Sequence, residues 1–157
     1  LHDMLFAPFF AGAAGPGHVW FWRQAIDEPN HWHHFQRFQR ALPGIDPPAE
    51  RFEPTRLEHP ELRVYALRGK RTLLIWCRDR QNDWRSELVE GKPPRKLTGL
   101  KLDLAKAGIG PAAGQPTAEV YDPWQDKSTT VRLTAESITL PDFERSIIVR
   151  VTLPTGT

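Results

Sequence analysis

The sequence predicts an α+β chain in which a helix, a buried strand and a second helix lead into an antiparallel β-sandwich. Three observations carry this. Aromatic and small residues crowd into residues 1–44; 15 prolines punctuate 157 residues; and beyond residue 62 short runs with period-two alternation follow one another between turn signals. The proline content is nearly twice the roughly 5% background. Because proline interrupts helices and central strands, an all-helical chain is disfavoured.

Residues 1–14 read as helix, with Met4, Leu5, Phe9 and Phe10 apolar, Ala11, Ala13 and Ala14 favourable, and Pro8 kinking or delaying it. Gly15, Pro16 and Gly17 end that helix. Residues 18–22, H-V-W-F-W, are apolar on both faces and predict a buried parallel strand. Asp27, Glu28 and Pro29 then start a second helix, with a carboxylate cap and proline in its first turn. Along it Trp32, Phe35, Phe38 and Leu42 share about one third of the circumference, until Pro43 and Gly44 stop it. Residues 45–62 form a link that is proline-rich to residue 54. The predicted sandwich occupies 63–157, with strands over 63–67, 72–77, 97–104, 118–121, 129–133, 137–140 and 146–153. Leu100, Leu102 and Leu104 point one way while Lys101 and Asp103 point the other, and Ile147, Val149, Val151 and Leu153 repeat the pattern.

The net charge of +2, from 21 basic and 19 acidic side chains, is too small for a nucleic-acid field unless clustered. The densest basic stretch, residues 92–101, contains two prolines and no aromatics, and reads as a solvated loop. Nucleic acid is therefore not an expected partner. No run reaches the ~18 apolar residues that span a bilayer, and the N-terminus lacks the basic flank of a signal peptide, so no membrane partner is expected either. The single cysteine, Cys77, has no intrachain partner and sits in an apolar run as a small hydrophobe.

His31 and His34 are one helical turn apart, but no third ligand of suitable spacing accompanies them, and Trp32 and Phe35 claim the buried face. Gly12, Gly15 and Gly17 follow a helix and precede a strand, the reverse of a dinucleotide fingerprint. No serine stands in a G-x-S-x-G elbow. Neither a metal nor a cofactor is expected.

The stretch L-H-D-M-L-F-A-P-F-F-A-G-A-A-G, then H-V-W-F-W, then D-E-P-N-H-W-H-H-F-Q-R-F resembles the end of the catalytic barrel in cellulase-like glycoside hydrolases. The remaining residues, with a Y-D-P-W turn at Tyr121 to Trp124, match the all-β domain that follows the barrel in that family. The resemblance implies that residues 1–44 are the last helix, strand and helix of a (β/α)8 barrel, joined to a C-terminal sandwich. It implies retaining hydrolysis of a β-linked polysaccharide or oligosaccharide, with the two catalytic carboxylates after barrel strands upstream of Leu1. No catalytic residue is therefore assigned here. The chain, opening on Leu1, reads as a fragment inactive alone, whose partners are a carbohydrate substrate and the missing N-terminal part of the barrel. A secreted or periplasmic location follows from the same resemblance.

The resemblance also places Trp22 at the end of the last barrel strand, as the floor of the sugar subsite at the cleavage point, since an aromatic face suits the apolar C–H face of a pyranose. Plain barrel packing is the competing role. Trp20, two residues earlier, is expected in the barrel core. Arg23, Gln24 and Asp27 follow in a loop from which they reach sugar hydroxyls, although Asp27 doubles as a helix cap. Trp84, in the polar loop 78–85, is either a sugar platform or a contact between sandwich and barrel. The alternative function is a non-catalytic carbohydrate-binding or domain-packing β-sandwich module.

Overall fold

The run T-L-L-I-W-C-R-D at Thr72–Asp79 is apolar on both faces, and a strand of that kind is stable only where both are covered. The computed structural model describes residues 1–107, 117–134 and 136–153, and in it the run is a central strand. The strands are β1 (Glu53–Leu57), β2 (Leu62–Arg68), β3 (Thr72–Asp79), β4 (Lys96–Leu97), β5 (Lys101–Asp103), β6 (Thr117–Asp122), β7 (Lys127–Thr134), β8 (Ser137–Thr139), β9 (Phe143–Glu144) and β10 (Ser146–Thr152). Eight of them form one antiparallel sheet in the order β1-β2-β3-β10-β6-β7-β8-β5, and β4 pairs with β9 in a separate ribbon.

Successive side chains of a strand face opposite sides, and here the two sides have different covers. Leu73, Ile75 and Cys77 of β3 join Val64, Val120, Leu133, Ile138, Leu102 and Val149 in an interior core shared by every strand of the sheet. Leu97 and Phe143 of the ribbon enter the same core. The sheet curls so far around it that its edges meet. His59, in the β1–β2 turn, accepts on Nδ1 from the backbone N–H groups of Glu61 and Leu62, which leaves Nε2 as the donor to the Lys101 carbonyl, 3.2 Å away on β5. Arg68 likewise reaches the carbonyl of Ala107, just beyond β5.

The outer face of β2, β3, β10 and β6 carries Leu67, Leu74, Trp76, Ile148 and Tyr121, with Trp76 paired across to Tyr65 on one side and Ile148 on the other. Two helices cover it. Helix α1 (His2–Phe10) contributes Leu5, Phe6, Phe9 and Phe10; α2 (His33–Ala41) contributes Phe35, Phe38 and Ala41. Phe6 and Phe10 lie 5.8 and 5.9 Å from the Trp76 ring, and Phe38 meets Phe6 and Phe9 edge-on at 5.0 and 5.6 Å. Each fully buried side chain of this size contributes about 1.5–3 kcal/mol through removal from water, so this layer is a second core rather than a loose appendage.

Several expectations from the sequence are corrected. Residues 18–22 are not a strand: their backbone runs irregularly into a wide helical turn, Arg23–Asp27. A parallel strand needs neighbours for its N–H and C=O groups, and the sheet described here offers only antiparallel partners. Trp20 is therefore exposed rather than in a core. The second helix begins at His33, not at residues 27–29, because Asn30 takes a left-handed φ of 55° and breaks the winding before it. Asp27 caps nothing; its carboxylate accepts the Trp32 indole N–H at 3.2 Å. The link at 45–62 contains a short helix, α3 (Pro47–Glu50), capped by Asp46, and the edge strand β1. The run 97–104 divides into β4 and β5. In place of two packed sheets there is a mostly antiparallel, nearly closed sheet with few helices.

Pro8 sits inside α1 and cannot donate to the Met4 carbonyl, and Gly17 packs on that carbonyl as the chain returns across the helix. A Cβ on Gly17 would lie 2.5 Å from the Met4 oxygen. Gly17→Ala is therefore expected to displace the segment leading to Trp20, read as altered tryptophan fluorescence with a lowered melting temperature. Trp76→Ala is expected to cost about 3–5 kcal/mol in urea unfolding. Trp76→Phe should cost less, because the buried Trp76 Nε1 has no hydrogen-bond partner among the described residues.

Candidate functional site

A cleft of about 450 Å³ opens where the first turn of α1 meets two polar turns of the sheet. The first turn is built by a reciprocal pair: Ser86 N–H donates to Asp83 Oδ1 at 2.8 Å, and Asp83 N–H donates to Ser86 Oγ at 3.0 Å. This starts the wide helical turn Arg85–Val89, and Trp84, at its cap position, is thrown outward to 69% exposure at the cleft. The second turn is the Y-D-P-W segment between β6 and β7. Asp122 Oδ1 accepts the N–H groups of Trp124 and Gln125 at 2.8 and 3.0 Å, an Asx turn that fixes Trp124.

Trp124 joins the two turns to the helix. Its indole N–H donates to Ser146 Oγ at 3.1 Å, and His2 Nε2 lies 3.0 Å from the same oxygen. The His2 ring packs on Trp124 at 4.6 Å, and the Arg145 guanidinium lies 4.6 Å from the same indole ring. Arg145 forks onto Glu87, which also accepts from Asn82 Nδ2 at 2.9 Å. Arg78 pairs with Asp3 at the start of α1.

Burial holds the His2 imidazole well below its ordinary range, helped by the repulsion that a protonated His34 would add and by the positive charge of Arg78. Burial also pushes His34 down to about 4, with His33, the N-terminal amine and His31 acting the same way. Both rings are neutral at pH 7. The bond from Arg145 holds Glu87 below the usual carboxylate range, and the Ser86 N–H does so for Asp83. These two carboxylates are ionised and committed, so neither has the raised pKa of a glycosidic acid catalyst. Ser146 and His2 form a hydroxyl–imidazole pair, but Ser146 is 1% exposed and beyond the reach of a substrate carbonyl. Aromatic faces, spare hydrogen-bonding groups and neutral imidazoles equip the cleft for binding.

Of the residues singled out in the sequence, Trp84 lines this cleft, while Trp22, Arg23, Gln24 and Asp27 lie exposed on the separate turn after residue 21. There Arg23 pairs with Glu28 at 3.3 Å, and Asp27 holds Trp32. His31 donates from Nδ1 to the Ala25 carbonyl at 3.0 Å, which fixes the turn's return into α2. Among the described residues no group of three or more His, Cys, Asp or Glu is arranged to hold a metal ion. Cys77, its thiol pushed up to about 12 by burial, belongs to the interior core. Sequence reasoning did not assign Trp124, His2, Asp3 or Arg145 to a site; the Y-D-P-W turn was the available signal, since a fixed turn ending in tryptophan marks a tethered aromatic.

No protein-family model matches the chain, and no curated protein matches it. Among solved structures, a chain named "Glycoside hydrolase" is similar to it at a TM-score of 0.39 and 14% identity. That likeness covers 93% of this chain and 30% of the other, so this chain spans under a third of its neighbour's length.

The depressed imidazoles make stability depend on pH with a definite sign. Unfolding frees His2 and His34 to bind protons near pH 6.5, whereas the folded chain resists until about pH 4 for His34. Stability is then full above pH 6.5 and falls as pH drops toward 4. Thermal melting at pH 7.5 and 5 is expected to show the drop, and His34→Gln to reduce it.

Proposed function

We propose that this chain is the C-terminal portion of a glycoside hydrolase that cleaves a β-linked polysaccharide or oligosaccharide with retention, and that the catalytic carboxylates lie in a part of the barrel outside it. The observation that carries this reading is the run Trp20-Phe21-Trp22, exposed by 85, 69 and 54% although the helices on both sides of it are pinned to the sheet. Three consecutive large aromatics held in water call for a partner surface. In this reading the rest of the barrel covers Trp20 and Phe21, and Trp22 faces the sugar ring. Arg23 and Gln24, on the first turn after it, face sugar hydroxyls. A retaining site needs two carboxyl groups about 5 Å apart, which the barrel partner supplies. Such an enzyme acts on polymers outside the cytoplasm, which accords with an exported protein.

A second reading, a non-catalytic carbohydrate-binding module, is favoured by Trp84, whose exposed indole lines a cleft that also holds polar side chains.

The test is Trp22→Ala in the intact enzyme. If stacking tightens as the sugar flattens toward its oxocarbenium-like transition state, kcat and kcat/KM fall together by about one to two decades, corresponding to about 1–3 kcal/mol. The melting temperature should barely move, since half of Trp22 is already in solvent. Unchanged turnover in the variant, or no β-glycoside hydrolysis by the intact enzyme, would contradict the reading.

A further inference from the structure

We propose that the cleft between α1 and the turn carrying Trp84 is a non-catalytic binding site for a neutral saccharide, with Trp84 as its stacking platform. The proposal rests on the reading of the chain as carbohydrate-directed and adds a second place where sugar is held. At about 450 Å³ the cleft falls within the roughly 300–1,000 Å³ of ordinary ligand pockets. Its contents match a polyol. Trp84 offers an open indole face to the C–H surface of a pyranose. Around it stand planar groups with atoms to spare: Asp3 gives Oδ2 to Arg78, and Asn82 gives its amide N–H to Glu87, while among the described residues Asp3 Oδ1 and the Asn82 carbonyl take no hydrogen bond.

Two imidazoles form part of the cleft's lining. His2 lines the cleft and is only 4% exposed, and its Nδ1 has no partner among the described residues. Nor has Nδ1 of His34, whose ring meets that of His2 edge-on at 6.2 Å.

Charge decides between neutral and acidic sugars. Both arginines of the cleft are already paired, Arg78 with Asp3 and Arg145 with Glu87, and Asp83 adds a further negative charge. Among the described residues no unpaired guanidinium lines the cleft to meet a uronate or phosphate.

The experiment titrates the chain with cellohexaose and, in parallel, with a hexauronate, following tryptophan fluorescence and heat. Saturable binding of cellohexaose is expected, weakened at least tenfold by Trp84→Ala and largely restored in Trp84→Phe, with the hexauronate binding more weakly. Both variants should melt like the parent, because Trp84 is mostly in solvent. No saturation at millimolar cellohexaose, tighter binding of the hexauronate, or affinity lost in Trp22→Ala but not in Trp84→Ala would each overturn the proposal. Turnover in the intact enzyme reports on the proposed function and affinity at Trp84 on this site, so the two fail separately.

Discussion

The burial of Trp76 is the constraint on which the rest of the molecule depends. Its neighbours along β3 alternate, so Leu73, Ile75 and Cys77 must be hidden on one side while Leu74 and Trp76 are hidden on the other. Curling the sheet until β1 and β5 approach each other answers the first demand. The aromatic faces of α1 and α2 answer the second. Neither cover suffices alone, since an open sheet would expose the interior core and a bare outer face would leave an indole and five large apolar neighbours in water.

The two helices are held by more than apolar contact, and both ties run to the same turn. Tyr121 donates its hydroxyl to Asp126 at 2.7 Å, and Asp126 pairs with Arg40 near the end of α2. Earlier in the same turn, Trp124 packs against His2 at the start of α1. The β6–β7 turn thus fixes both helices relative to the sheet, and with them the ends of the segment that carries Trp20, Phe21 and Trp22. The cleft with Trp84 shares this anchor, because Trp124 is one of its walls.

Strand identity was legible wherever a face had to be buried. Short strand-forming runs between turn signals located β2, β3, β6, β7, β8 and β10 to within a residue or two, with alternation clear in β10, and the apolar stripe of Phe35, Phe38 and Leu42 located α2. What alternation cannot give is which strands share a sheet: the runs fit two packed sheets or one curled sheet equally, and the choice depends on edge contacts such as His59 to Lys101. Strand β1 was missed because Glu53, Pro54, Thr55 and Arg56 are all exposed and only Leu57 reports a core. Residues 18–22 were over-read, since apolar residues on both faces say that cover is needed without saying that this chain provides it. Trp84 was legible as a large aromatic among polar residues. His2 and Trp124 were not, because their meeting depends on a contact spanning more than a hundred residues of sequence.

Native-state hydrogen exchange tests the central claim, that α1, α2 and the outer face of β3 are one cooperative unit presenting an uncovered aromatic segment. The account predicts that the last turn of α1, α2 from Phe38 onward, and β3 around Trp76 exchange only by a shared opening of the same free energy. The amides of Trp20 and Phe21, outside any ladder or helix, should exchange at once. If the α1 and α2 amides exchanged quickly while β3 remained protected, the helical layer would not belong to the core, and the account would be contradicted.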